Sequence, residues 1–171
     1  MIRKLLLAGV ILLLAASAAS ATTLLKMSFG DLAREADHVV VGTVTGIEGE
    51  WDASLNFIRS NVTLSVERSF RGKAPGEIVI RTPGGQVGGM AQVAHGGPSF
   101  TEGERVLVFL TTWDDGTPKV LGYVQGKSRI QVDGTGREHL VGGVSDGRTL
   151  ESVSRELRHG PEHNLRLQPA N

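Results

Sequence analysis

The hydrophobic and polar positions alternate most cleanly between residues 57 and 70. Ile58, Ser60, Val62, Leu64, Val66 and Phe70 fall on one side, with Phe57, Arg59, Asn61, Thr63, Ser65, Glu67 and Ser69 on the other. A period of two is that of a strand with one buried face, because successive side chains of an extended chain point in opposite directions. A strand of this length exceeds the usual five or six residues and is expected to coil strongly, as in a small barrel where one strand serves two parts of the sheet. Residues 39–47 precede it, rich in β-branched side chains and interrupted by Gly42 and Gly46, which mark bends or bulges. Turn chemistry at 72–76 follows, then a strand over 77–82 with Ile78 and Ile80 on one face. Residues 106–110 are apolar on both faces, so that strand is expected to be central. Strands at 119–124, 128–132 and 138–141 complete the set, separated by turns at Asp115-Gly116, Gly126 and Asp133-Gly134.

Two short helices flank these strands. Ser28 is placed to cap the first, over 28–36, with Asp31 three residues on and Phe29, Leu32, Ala33 and Ala36 at helical spacing. Thr149 caps the second, where Leu150, Val153 and Leu157 share a face and Gly160-Pro161 stops the chain. No repeat and no domain boundary interrupts this order. The pattern predicts one mainly β domain over residues 22–161, a small closed or half-closed β-barrel with a short helix at each end. Residues 162–171 have little apolar content and are expected to form a flexible tail.

The first 21 residues read differently. Arg3 and Lys4 precede an uncharged apolar run over 5–16, and Ala19-Ser20-Ala21 supplies small residues for cleavage. The run is shorter than the roughly 20 residues a spanning helix needs, so a cleavable secretory signal is expected, with a mature chain starting at or near Thr22. The expected location is secreted or periplasmic, with no membrane attachment after cleavage. Cleavage would remove two of 18 basic residues and none of 18 acidic ones, leaving a balance slightly negative. Such a charge does not gather nucleic acid or anionic membrane. The chain has no Cys, so an exported domain of this size must rest on packing rather than disulfides.

The series His38-Val-Val-Val-Gly-Thr-Val44, the long strand running into Phe70-Arg-Gly-Lys73, Ile78-Val-Ile80 and 100–110, FTEGERVLVFL, resembles the netrin-like module, which includes the N-terminal domain of tissue inhibitors of metalloproteinases. It is also similar to exported bacterial proteins of unassigned function with the same strand order. The resemblance covers roughly residues 30–125 and implies an OB-like barrel. Inhibitors of that family chelate zinc through an N-terminal Cys. This chain has none, so the resemblance leaves room only for a non-chelating inhibitor.

Few residues suggest catalysis. Gly143-Val-Ser-Asp-Gly147 matches the G-x-S-x-G pattern of a nucleophile elbow, with Ser145 as the nucleophile of a small serine hydrolase. The chain lacks the alternating strand–helix units of such enzymes, and a tight turn into the last helix explains the same residues. Histidines 38, 95, 139, 159 and 163 have no metal-ligand spacing, and Glu48, Glu50 and Asp52 have no EF-hand spacing, so neither a metal nor a cofactor is expected. Trp51 and Trp113 are read as core residues or barrel-end caps.

The stretch between Thr82 and Arg105 is where function is expected. It runs for about 22 residues, against a usual connection of about four to six, and long ordered loops are commonly functional. Six glycines between 83 and 98 permit unusual backbone shapes, and Gln86, Val87, Met90, His95 and Phe100 are the candidate partner-binding residues. A competing reading makes 87–93 an extra strand pair with glycines at its turns. The composite expectation is an exported, non-enzymatic binding domain whose partner is an extracytoplasmic protein. A serine hydrolase, a non-chelating protease inhibitor and a cell-envelope structural component remain the alternatives.

Overall fold

The computed structural model describes residues 25–160, so the export signal and the tail at 162–171 lie outside the described residues. Helix α1 (Phe29–Glu35) begins where the sequence places it. The Ser28 hydroxyl accepts from Asp31 N–H, and the Asp31 carboxylate accepts in return from Ser28 N–H at 3.1 Å, a capping box that occupies two otherwise unpaired donors. Two long strands follow, β1 (His38–Asp52) and β2 (Phe57–Arg71), then β3 (Glu77–Pro83). A small hairpin, β4 (Gly85–Val87) and β5 (Met90–Gln92), precedes β6 (Arg105–Thr112). Strands β7 (Pro118–Val120), β8 (Lys127–Val132) and β9 (Glu138–Val141) lead to helix α2 (Leu150–His159), capped by the Thr149 hydroxyl.

The main sheet is antiparallel throughout, in the order β3-β2-β1-β6-β8-β9, with β7 pairing the far end of β6. The expected bulges are present: the β1–β2 register slips between Val41 and Gly42 and between Val44 and Gly46. These slips change the sides on which β2 residues fall. Val66 packs inside the curl of the sheet, whereas Phe70, which strict alternation places on the same face, packs with the helices.

β6 is central, as its two apolar faces require. Val106, Val108 and Leu110 join Val40, Val44, Val62, Leu64, Ile78 and Ile80 in one core inside the curl. Leu107 and Phe109 join Val39, Val41, Ile130 and Leu140 in a second core on the opposite face. Both helices cover that second core, through Leu32, Ala33 and Ala36 from α1 and Leu150 and Val153 from α2. This corrects the expectation of a helix at each end: the apolar outer face of β1, β6, β8 and β9 needs a cover, and both amphipathic helices provide it.

The sheet does not close into a barrel. It curls until residues of β3 and β7 lie within 8 Å of each other, Cα to Cα, but no backbone ladder joins them among the described residues. β7 is only three residues long and starts with Pro118, which has no N–H to donate. An Arg81–Asp115 ion pair at 2.5 Å spans this seam instead. The strand expected over 119–124 also ends early. After Leu121 N–H bonds to Phe109 C=O, Gly122 (φ 70°) and Tyr123 (φ 56°) take left-handed conformations and turn the chain into a 3-10 turn, Tyr123–Gly126.

Candidate functional site

The long connection after β3 is built, in part, as the competing reading describes: Val87 pairs with Met90 across Gly88 and Gly89, whose φ values of 53° and 81° make the tight turn of a two-residue hairpin. What sequence did not indicate is where this hairpin lies. It folds back over the distal halves of β1 and β2. A Cβ on Gly49 of β1 would sit 1.9 Å from the Gln86 carbonyl oxygen, and one on Gly85 would sit 2.0 Å from Ser60 Oγ. Only glycine permits backbone and strand to approach this closely.

Three hydrogen bonds hold the crossing. Gly84 N–H donates to Ile58 C=O at 2.8 Å, the buried Ser60 hydroxyl donates to Gly84 C=O at 2.8 Å, and Gln92 Oε1 accepts from Ile58 N–H at 2.5 Å. Residues 93–100 then return along the other side, tied by Val124 N–H to Gly96 C=O at 3.1 Å and by Lys127 Nζ to Ser99 C=O at 2.7 Å. Lys127 also lies 5.0 Å from the centre of the Phe100 ring and pairs with Glu104, whose side chain is only 5% exposed. Burial pushes the Glu104 carboxyl up, but Lys127 and then Arg129 at 3.1 Å more than offset that, holding it below its ordinary value.

Hairpin, return segment and sheet enclose a cleft of about 480 Å³. Its walls include Ile47, Val62, Ser60, Thr82, Gln92 and Phe100, and among the described residues no ionisable side chain lines it. A second hollow of about 170 Å³ adjoins it, since Thr82, Pro83 and Pro98 line both. The second is bounded by Trp113, Lys119 and Tyr123. Side by side, with the Thr82 hydroxyl and Pro98 C=O 3.4 Å apart at their shared wall, they make up a two-part groove between the hairpin and the β3–β7 seam.

Of the candidate residues, Gln86 and Phe100 line the cleft. Val87 and Met90 belong to the hairpin but lie outside the lining, Met90 being 55% exposed at its tip. His95 is exposed in the return segment and does not line the cleft either. Ser60, Thr82 and Gln92 were missed because they look like ordinary strand or hairpin positions until the chain folds over them. Trp113 and Trp51 are partly exposed rather than core, and Lys119 Nζ sits 4.1 Å from the centre of the Trp113 ring.

Ser145 lies in a 3-10 turn, Gly143–Ser145, is 0% exposed, and its Oγ makes no hydrogen bond among the described residues. A Cβ on Gly143 would sit 2.4 Å from Lys127 C=O, so that glycine serves a close packing of chain against β8. The acidic group after β1 is likewise engaged locally: Asp52 accepts from Ser54 N–H at 2.9 Å and pairs with Arg59 at 2.8 Å. No protein-family model matches the chain, and comparison with curated proteins and with solved structures finds no match.

Proposed function

We propose that this protein is an exported, non-enzymatic domain that binds a segment of another extracytoplasmic protein along the groove beside the β4–β5 hairpin. The groove carries the reading. It is built by the long connection between β3 and β6, its main cleft has no charged lining among the described residues, and Ser60, Thr82 and Gln92 line it beside the apolar surfaces of Ile47, Val62 and Phe100. Such a surface suits an extended, uncharged stretch of polypeptide, for which polar groups fix orientation and apolar walls supply affinity. The two long strands, the curl and the bulges at Gly42 and Gly46 are in keeping with the half-closed, OB-like part of this proposal. Secretion or periplasmic delivery through residues 1–21 remains part of this proposal, with Thr22 as the new N-terminus.

The test is affinity capture from the host's extracellular fraction by the exported protein, in parallel with a Gln86→Ala, Phe100→Ala variant. The expected outcome is specific capture by the wild type and its loss in the variant at unchanged secondary structure. Ester turnover that disappears in Ser145→Ala would replace this reading with the hydrolase one.

A further inference from the structure

The groove has a chemical polarity along its length. Among the described residues its hairpin end is lined by neutral groups, whereas its seam end carries two cations, Arg81 and Lys119. Arg81 is committed to Asp115 at 2.5 Å, and the Thr117 N–H together with Arg81 holds that carboxyl well below its usual range. Lys119 stacks its ammonium on Trp113 and has no carboxylate partner among the described residues. An anionic group placed in the neutral cleft would be desolvated without a counter-charge, which is costly, while the same group at Lys119 would be paired.

The seam end is also shaped for one apolar side chain. At about 170 Å³ it is of the size that accepts a benzene ring, for which about 150 Å³ suffices. Trp113 and Tyr123 stand on its rim, 36% and 46% exposed. Tyr123 stands at φ 56°, a region bulky residues seldom occupy, held there by the bonds of Val124 N–H to Gly96 C=O and Gln125 N–H to Gly122 C=O while the residue stays 46% exposed. Strain of this kind persists at ligand-contacting positions. Beyond this hollow, the Arg81–Asp115 pair bridges the seam and separates it from the next depression, lined by Val79, Asp115 and Pro118. A chain lying in the groove meets this ion pair at the seam.

We propose that the groove captures the C-terminal end of its partner: the last apolar residue fills the hollow between Trp113 and Tyr123, its terminal carboxylate pairs with Lys119, and the preceding neutral residues lie along the hairpin cleft. This inference rests on the binding reading above and narrows it to one end of a polypeptide.

The experiment uses acetyl-glycyl-alanyl-prolyl-leucine as the free acid and as the C-terminal amide, titrated calorimetrically into the exported protein. Quenching of Trp113 emission in a Trp51→Phe background reports on the same site. The free acid is expected to bind at least tenfold more tightly than the amide, and Lys119→Met should abolish that difference. Tyr123→Asn, which suits the left-handed backbone, should keep or raise the melting temperature while binding falls at least tenfold. Equal affinity of acid and amide would overturn the terminal-carboxylate inference and leave groove binding intact. Absence of binding by either peptide at millimolar concentration would overturn it as well, and partner capture sensitive to Gln86 and Phe100 would then still support the broader reading.

Discussion

At the scale of single residues, the groove depends on side chains that are not there. Gly49 lies in a strand, where an extra methyl group is ordinarily tolerated, yet its missing Cβ leaves room for the Gln86 carbonyl. Gly49→Ala therefore forces the hairpin off β1 and is expected to cost about 1–3 kcal/mol, the usual range for overpacking. Gly76→Ala is the matched control, because a Cβ there meets nothing within 4 Å. It should remain within about 0.5 kcal/mol of the wild type. Urea denaturation of both variants measures the difference, and equal midpoints would mean that the hairpin does not rest on β1.

At the scale of elements, the return segment is tied to the sheet by one buried charge cluster. Glu104, at the entry to β6, pairs with Lys127 at the start of β8, and Lys127 reaches both Ser99 and Phe100 of the groove wall. The folded-state pKa of Glu104 lies below its ordinary value of 4.5, so its stabilising contribution is fully present above that pH and is lost as pH falls through the lowered value. Acid should thus loosen the groove wall as well as lower overall stability. Glu104→Gln leaves Lys127, whose side chain is 10% exposed, without its anion and is expected to cost about 3 kcal/mol at neutral pH. The variant should also show a flatter decline between pH 5 and 3 than the wild type does, a difference that thermal melts across that range would reveal. Parallel declines would assign the acid sensitivity to other carboxylates.

At the scale of the whole molecule, two cores share the β1–β6 pair, one inside the curl and one beneath the helices. Phe109 belongs to the second, meeting Phe29 of α1 edge-on with ring centres 5.6 Å apart. Phe109→Ala should cost about 3–5 kcal/mol by leaving a cavity between sheet and helices. Met90→Ala should cost less than about 0.5 kcal/mol, because that side chain is 55% exposed at the hairpin tip. A large loss from Met90→Ala would place the hairpin in the core and remove the groove as a free surface. The same architecture explains how the domain holds together without a disulfide: among the described residues twenty-two hydrophobic ones are buried, and they are spread over both faces of one sheet.

The local elements were legible because their causes are local. A period of two over 57–66 marks a strand wherever it occurs, Ser28 and Asp31 are close enough to cap one another, and glycine at 42 and 46 loosens the ladder within its own strand. The double apolar face of 106–110 likewise placed β6 at the centre, since each face must be covered by something. The same pattern does not say what covers a face. Two amphipathic helices could have plugged opposite ends of a barrel, and only the three-dimensional arrangement set both on the outer face and left the β3–β7 seam unpaired. The groove shows the same division. Gln86 and Phe100 stood out in an unusually long connection, but Ser60, Thr82, Trp113 and Tyr123 come from other segments and share a wall only after the sheet has curled and the hairpin has crossed it. Periodicity records how a residue relates to its neighbours in the chain; a binding surface is a relation between residues that the chain keeps apart.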